Sequence, residues 1–167
     1  MKKEEYKKLR DKYKSENLRG IFIAESPPKS GKFFYNEKGF INEDLFSAMM
    51  KFINEQPKTK REGLSAFKNK GYFLIDSIYE PVNKIKPERE KNRKILGNIN
   101  GLIADLDKIV NGSRIKVVLI KNSIHQILYG PLTAIGYKVI NKEPIPFPSR
   151  SQKNINSFLT KLRKLKI

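Results

Sequence analysis

There is no cysteine among the 167 residues of this chain. That single absence excludes disulfides, thiolate zinc sites, iron–sulfur clusters and cysteine nucleophiles together. Histidine is nearly absent too: His125 stands alone, so any metal site or acid–base pair would fall to carboxylates. No run approaches the roughly 18 apolar residues that a membrane span needs, and no apolar signal core follows the basic start MKKEEYKKLRDKYK. The expectation is a soluble intracellular protein that is not secreted. Acids are in short supply, 17 Asp+Glu against 35 Lys+Arg, which leaves a formal net charge of +18. A surplus of that size favours a polyanionic partner, nucleic acid above all, through phosphate neutralisation and counterion release, and with it a cytoplasmic, nucleoid-associated location. The ordinary alternatives are a lysine-rich composition at large, or a ribosomal or anionic-lipid partner. With 38% hydrophobic and 10% aromatic residues the chain still has material for a core, unlike a disordered basic tail. Its size suggests one compact domain over residues 1–167 and an expected monomer; there is no internal repeat.

Hydrophobic spacing gives the element order. In residues 2–18, Tyr6, Leu9 and Tyr13 recur at helical intervals, as on a surface helix with a thin apolar stripe. Ile21, Phe22 and Ile23 form a short continuous run closed by two prolines, the pattern of a strand buried on both faces. Asn42, Glu43 and Asp44 offer a cap and first-turn acids for a helix through LFSAMMKFINEQ that Pro57 stops. A short helix near Leu64 to Phe67 precedes a second buried strand at 71–78, which Pro81 breaks. Ile95, Ile99, Leu102, Ile103, Leu106 and Val110 predict one long amphipathic helix from Pro87 to Val110, ended by Asn111-Gly112. A β-branched strand follows at 115–121. A helix over 123–135 is interrupted or ended near Gly130-Pro131, with Gly136 as its C-cap, and a fourth strand spans Tyr137 to Ile140. After the proline-rich EPIPFPSRSQ, a last helix from about Gln152 carries Ile155, Phe158, Leu159, Leu162 and Leu165 on one face.

Strands alternating with helices imply right-handed crossovers and a sheet covered on both sides. The fold expected is α/β, a three-layer α/β/α sandwich around a four-stranded, mainly parallel central sheet. Functional groups in such sheets gather at the carboxyl ends of the strands, which selects AESPPKSGKFF, DSIYEPVNK, KNS and PFPSRSQ.

In kind, order and position those four segments resemble the motifs of the uracil-DNA glycosylase superfamily. Its first strand ends in GQDPY or, in the iron–sulfur branches, GEAPG; here residues 24–28 read AESPP. A base-stacking phenylalanine follows in the family, and GKFF offers Phe34 with Phe33 beside it. The family's second strand, typically GVLLLNT, ends in a base-reading Asn, and GYFLIDS places Asp76 there. The family's closing HPS is matched by Phe147-Pro148-Ser149 without the histidine. The resemblance spans about residues 20–165 through short motifs. It implies a DNA glycosylase-like protein that extrudes a damaged or non-standard base and excises it by metal-free hydrolysis, with no cofactor and with single- or double-stranded DNA as partner. Two departures stand out. The water-activating Asp of GQDPY aligns with Ser26, with Glu25 at the neighbouring Gln or Glu, and the HPS histidine that donates to the departing base is missing. An ordinary uracil-specific enzyme is therefore not expected.

Physically, extrusion needs a phosphate clamp, a stacking surface and an edge reader. The turn Lys29-Ser30-Gly31-Lys32 offers N–H groups and ammoniums to phosphate, and Ser149, Arg150 and Ser151 do so before a helix N-terminus. Phe34 suits stacking, and Phe147 or Arg150 suits filling the vacated stack. Asn83, Lys84, Lys121, Asn122 and Ser123 share the same sheet edge. Cleavage needs a carboxylate for water or the sugar cation, for which Glu25 is the candidate, with Ser26 able to hold a water. Solvated loop charges, core phenylalanines and a salt-bridged Glu25 are the ordinary readings of these residues. Asp76 has three readings. Ionised, it accepts only and suits a donor-rich base edge; protonated, it mimics part of an amide; or it activates water itself. Two further readings differ in class. One is a catalytically inactive DNA-binding module of the same fold. The other rests on the likeness of FIAESPPKSGK to the first strand of the magnesium-dependent TOPRIM domain, whose Asp-x-Asp would have to be Asp105-Leu106-Asp107, inside a helical pattern. His125 reads as structural or surface, and Lys161, Arg163, Lys164 and Lys166 as a backbone-riding basic helix.

Overall fold

The computed structural model describes every residue except Ser113 and Arg150. Four short strands carry the apolar runs: β1 (Gly20–Ala24), β2 (Tyr72–Asp76), β3 (Lys116–Leu119) and β4 (Lys138–Val139). All pair in parallel, in the order β2-β1-β3-β4. Every residue of β1 and β2 is buried, as expected of strands covered on both faces. Helices α1 (Lys3–Asp11), α2 (Asp44–Phe52), α3 (Lys60–Asn69), α4 (Glu88–Gly97), α5 (Ile99–Val110), α6 (Asn122–Ala134) and α7 (Gln152–Arg163) complete the described chain.

The strand order places the helices. The step from β1 to β2 and the return from β2 to β3 run in opposite directions, so right-handed crossovers send α2 and α3 to one face and α4 and α5 to the other. Helix α7 packs on α2, and α6 packs on α4, which fills the two outer layers of a three-layer α/β/α sandwich. Because β1 lies between β2 and β3, the chain leaves the centre of the sheet in both directions and opens a crevice at the strands' carboxyl ends. Pairing of Ala24 with Asp76 puts the ends of β1 and β2 level there.

Several local expectations shift. Helix α1 stops at Asp11, well short of residue 18, and Tyr6 and Tyr13 are buried against Phe33 and Tyr35 rather than lying in a surface stripe. The N-cap of α2 is Glu43, not Asn42, and the helix ends before Asn54, which turns at φ 57°, without reaching Pro57. Helix α3 is longer than expected because the Thr59 side chain caps it, accepting from the Glu62 N–H. The long helix expected over 87–110 is two helices. Gly97 and Gly101 weaken the helical backbone, and Asn98 leaves helical geometry while its side-chain amide donates to the Ser77 carbonyl at 2.9 Å. Conversely, α6 runs through Pro131, because buried Leu128 and Leu132 hold the helix on both sides of it. It ends in a Schellman motif. Gly136, at φ 98°, donates to Thr133 and Tyr137 donates to Leu132.

Helices α2 and α3 approach each other closely at Gly63, where an added Cβ would lie 2.5 Å from Phe46 Cζ and 2.8 Å from Met50 Sδ. Gly63→Ala is therefore expected to cost about 1–3 kcal/mol through overpacking, despite the helix propensity gained. A lower urea midpoint at unchanged slope is the readout; an equal or higher midpoint would show that Phe46 yields freely.

Candidate functional site

A cavity of about 360 Å³ opens where β1 and β2 end, within the roughly 300–1,000 Å³ range of small-molecule sites. Of the expected site residues, Glu25, Ser26, Ser30, Lys32, Phe33, Phe34, Asp76, Asn83, Lys121 and Phe147 line it. These come from four separate loops, and the parallel sheet brings them to one edge. Cross-ties fix the loops. The Ser77 hydroxyl donates to the Glu25 carbonyl at 2.6 Å, the Val82 N–H donates to Ser26 Oγ at 3.3 Å, and the Lys29 N–H donates to Asn83 Oδ1 at 3.3 Å. Gly31 turns the lysine-rich segment at φ 78°, a left-handed conformation that suits glycine, and donates to the Pro28 carbonyl.

Phe34 serves as both core and wall. Its ring packs on Phe46 at 5.6 Å and Phe67 at 5.4 Å while bordering the cavity, so the side chain is held rigidly in its orientation. Phe33 packs edge-on against Tyr6 at 4.8 Å. The segment is anchored by Lys60, whose fully buried ammonium donates to the Phe33 carbonyl at 2.9 Å and pairs with Glu43 at 2.7 Å. Phe147, 38% exposed, stands at the rim.

Glu25 is held from two sides. Lys91 from α4 lies 3.3 Å from its Oε2, and Lys121, just before α6, pairs with the same oxygen. Lys121 adopts φ 84°, a left-handed conformation uncommon for a side chain of its size, and its N–H donates to the Ile145 carbonyl. Burial pulls the Lys91 ammonium down in pKa, but Glu88 and Glu25 together carry it above the ordinary value. The salt-bridged reading of Glu25 thus holds, with Lys91 shared between Glu25 and Glu88.

Asp76 is the opposite case. It is 5% exposed, and among the described residues its carboxyl oxygens accept no hydrogen bond. Burial, reinforced by the negative charge of Glu25 and opposed by Arg10, pushes its pKa up to about 8. Of the three readings of this residue, burial favours the neutral one, a carboxylic acid with one donor and one acceptor facing the cavity. Its backbone links to α1: the Asp76 N–H points to the Tyr79 hydroxyl at 3.5 Å, and that oxygen accepts from Arg10 Nη1 at 2.6 Å. Arg10 is fixed in turn by Asp105, at 2.6 and 3.3 Å.

Other expected residues lie outside the cavity. Lys29, Lys84 and Asn122 are exposed, Ser123 has a buried hydroxyl without a partner among the described residues, and Ser149 accepts from Asn154 at 2.6 Å. Pro148 is buried, Ser151 precedes α7 without a side-chain cap bond, and Arg150 lies outside the described residues. Lys161 is tied to the Pro144 carbonyl at 2.8 Å and Arg163 to the Lys51 carbonyl at 3.0 Å, so part of the basic stripe on α7 serves the fold. Asp105 is engaged by Arg10 and Lys7, Asp107 accepts from Tyr137 at 2.5 Å, and both sit on α5, which leaves the TOPRIM reading without a strand-end acid pair. His125 is buried, with Nε2 2.9 Å from the Asn141 carbonyl, a structural role. Glu43, Asp44, Leu45 and Phe46 at the start of α2 are lining residues that the sequence reading missed, and Lys91, Lys60 and Arg10 support the site from further away. The charge run at Asn42–Asp44 signalled a helix start but not a cavity wall.

Among the described residues no helix is long and apolar enough to cross a membrane. Comparison of the chain with protein-family models, curated proteins and solved structures gives no match in any of the three.

Proposed function

We propose that this protein is DNA glycosylase-like: it extrudes a damaged or non-standard base into the cavity and hydrolyses the N-glycosidic bond without a metal. The observation that carries this reading is a rigid aromatic wall, Phe34, and a buried neutral carboxyl, Asp76, in one cavity that Lys32 and Lys121 also line. Stacking on such a ring is worth about 1–3 kcal/mol per base. A neutral acid presents O–H and C=O side by side, which complements a base edge with adjacent carbonyl and N–H groups. It also avoids opposing the negative charge that builds on the departing base. Water adds to the sugar C1′, the C–N bond breaks towards the base, and the base takes up a proton as it leaves. Donors that strengthen as that charge grows lower the barrier. Asp76 faces the base in this role, the ammonium of Lys121 adds a favourable field, and Glu25 supplies the carboxylate for water or the sugar cation. Phe147 at the rim fills the space the base vacates.

The test is abasic-site formation in EDTA on labelled oligonucleotides carrying uracil, hypoxanthine, xanthine, alkylated or normal bases, followed by alkaline cleavage. Cleavage at one base is expected. Glu25→Gln and Asp76→Leu should each slow it about 10²-fold or more, whereas Asp76→Asn keeps a donor and an acceptor and retains more activity. The clamping of Glu25 by Lys91 and Lys121 favours a second reading, an inactive base-recognising module, because both ammoniums sit on the carboxylate oxygen that would have to reach the water or the sugar. Silence across the panel with intact DNA binding would establish that reading instead.

A further inference from the structure

At the opposite end of the sheet a second surface is built. Two open clefts share Val110, Arg114, Ile115 and Lys138 and form one furrow past the amino-terminal ends of β3 and β4. Five cations line it: Lys14, Arg19, Arg114, Lys116 and Lys138. Elsewhere some of the lysines and arginines pair with carboxylates, as at Lys7, Lys60, Arg61, Lys91 and Lys121. Among the described residues none of the furrow's five has an aspartate or glutamate within ion-pairing distance. Lys14 and Lys116 are instead tethered to main-chain carbonyls, of Lys108 at 3.3 Å and Lys166 at 2.7 Å. Five cations lining one furrow repel one another, and an arriving polyanion would relieve that repulsion.

Two acids also line the furrow, Glu16 and Asp107, the latter engaged by the Tyr137 hydroxyl, so five cations face two carboxylates; one stretch of the surface is apolar. Ile135 is 55% exposed, and Val110, Ile115 and Tyr137 are half-buried beside it. A duplex keeps its bases inside and has no use for such a surface. A single strand has unstacked bases to lay on it while its phosphates meet the cations. We infer that this furrow binds single-stranded nucleic acid, as a second site separate from the cavity and independent of whether the cavity excises bases.

Fluorescence anisotropy with a labelled oligothymidylate over a salt series tests this on the full chain. Replacing three cations together, Lys14→Glu, Arg114→Glu and Lys138→Glu, should lower the slope of log affinity against log salt by about 2, at roughly 0.7 per lost single-strand phosphate contact. Affinity at low salt should fall at least about tenfold. Ile135→Ser, at an exposed position, should weaken single-strand binding with the slope unchanged. Circular dichroism melting checks that both variants fold. An unchanged slope in the folded triple variant would overturn the inference. So would tighter binding of the matching duplex through the same cations, or furrow-dependent binding of phosphatidylglycerol vesicles without the oligonucleotide. Loss of slope with no base excision anywhere would uphold the furrow while removing the glycosylase reading.

Discussion

Replacing Asp76 by asparagine is expected to stabilise the protein at pH 8 and to leave it unchanged near pH 4. An unfolded Asp76 ionises near pH 3.8, whereas the folded carboxyl keeps its proton up to about pH 8. Between those values the folded state binds one more proton than the unfolded state, so this residue's contribution to stability falls as pH rises, by about 1.4 kcal/mol per pH unit. Across the window the loss is on the order of 5 kcal/mol, complete above pH 8 and absent below pH 4. The Asp76→Asn variant lacks the titration and keeps the shape. Urea unfolding of both proteins from pH 4 to 8 reads the difference. Curves that stay parallel over that range would show that Asp76 ionises normally, and the neutral edge reader would fall with it. Under the proposed function the same proton governs base recognition. Base binding that depends on the Asp76 O–H should weaken as pH passes about 8 in the wild type and should not in the asparagine variant.

The second large effect lies at Asp105. Its carboxylate holds the guanidinium of Arg10 through two hydrogen bonds, and both side chains are buried. Asp105→Ala leaves that buried guanidinium with only the half-exposed Asp11, 2.7 Å away, as an acid partner, so the loss is expected towards the lower end of the about 3–5 kcal/mol that breaking such a pair costs. Replacing both, with Arg10→Met and Asp105→Leu, should recover most of it because the charges left without a partner, Lys7 and Asp11, both reach solvent. If the double variant is no more stable than the single, the pair holds the fold together through geometry rather than charge. The pH dependence has the opposite sign to that of Asp76. Burial alone would raise the Asp105 pKa, but hydrogen bonds and charge from Arg10 and Lys7 bring it below 3.8. Its stabilisation is present above that value and is lost as pH falls through the lower folded pKa. Because Arg10 also reaches the Tyr79 hydroxyl that receives the Asp76 N–H, the loss should extend to the base recognition proposed for the cavity.

Much of this molecule is legible in its sequence. The runs at Ile21–Ile23, Phe73–Ile75 and Val117–Leu119 are local signals, and each became a buried strand where it was read. Their alternation with amphipathic segments was enough for the parallel sheet, and the sheet in turn picked out the loops that line the cavity. The local breaks were less legible. The helical periodicity of residues 87–110 is nearly continuous, yet Asn98 is drawn out of it by the Ser77 carbonyl, a partner beyond any local window. Pro131 signals a break that packing around Leu128 and Leu132 overrides.

The sequence by itself determined the fold class, the surplus of positive charge and the residues collected at the carboxyl edge, because these follow from composition and short-range periodicity. Tertiary structure decided what those residues are. Glu25 is clamped by a lysine 96 positions away, and Arg10 is buried on an acid 95 positions away. Lys60 and Lys91 disappear into the interior while the furrow's cations have no aspartate or glutamate partner among the described residues. Asp76 acquires its proton only when the sheet and helices exclude water around it. A side chain's charge state depends on the solvent it loses and the partners it gains, and in this protein both are set by segments far apart in the chain.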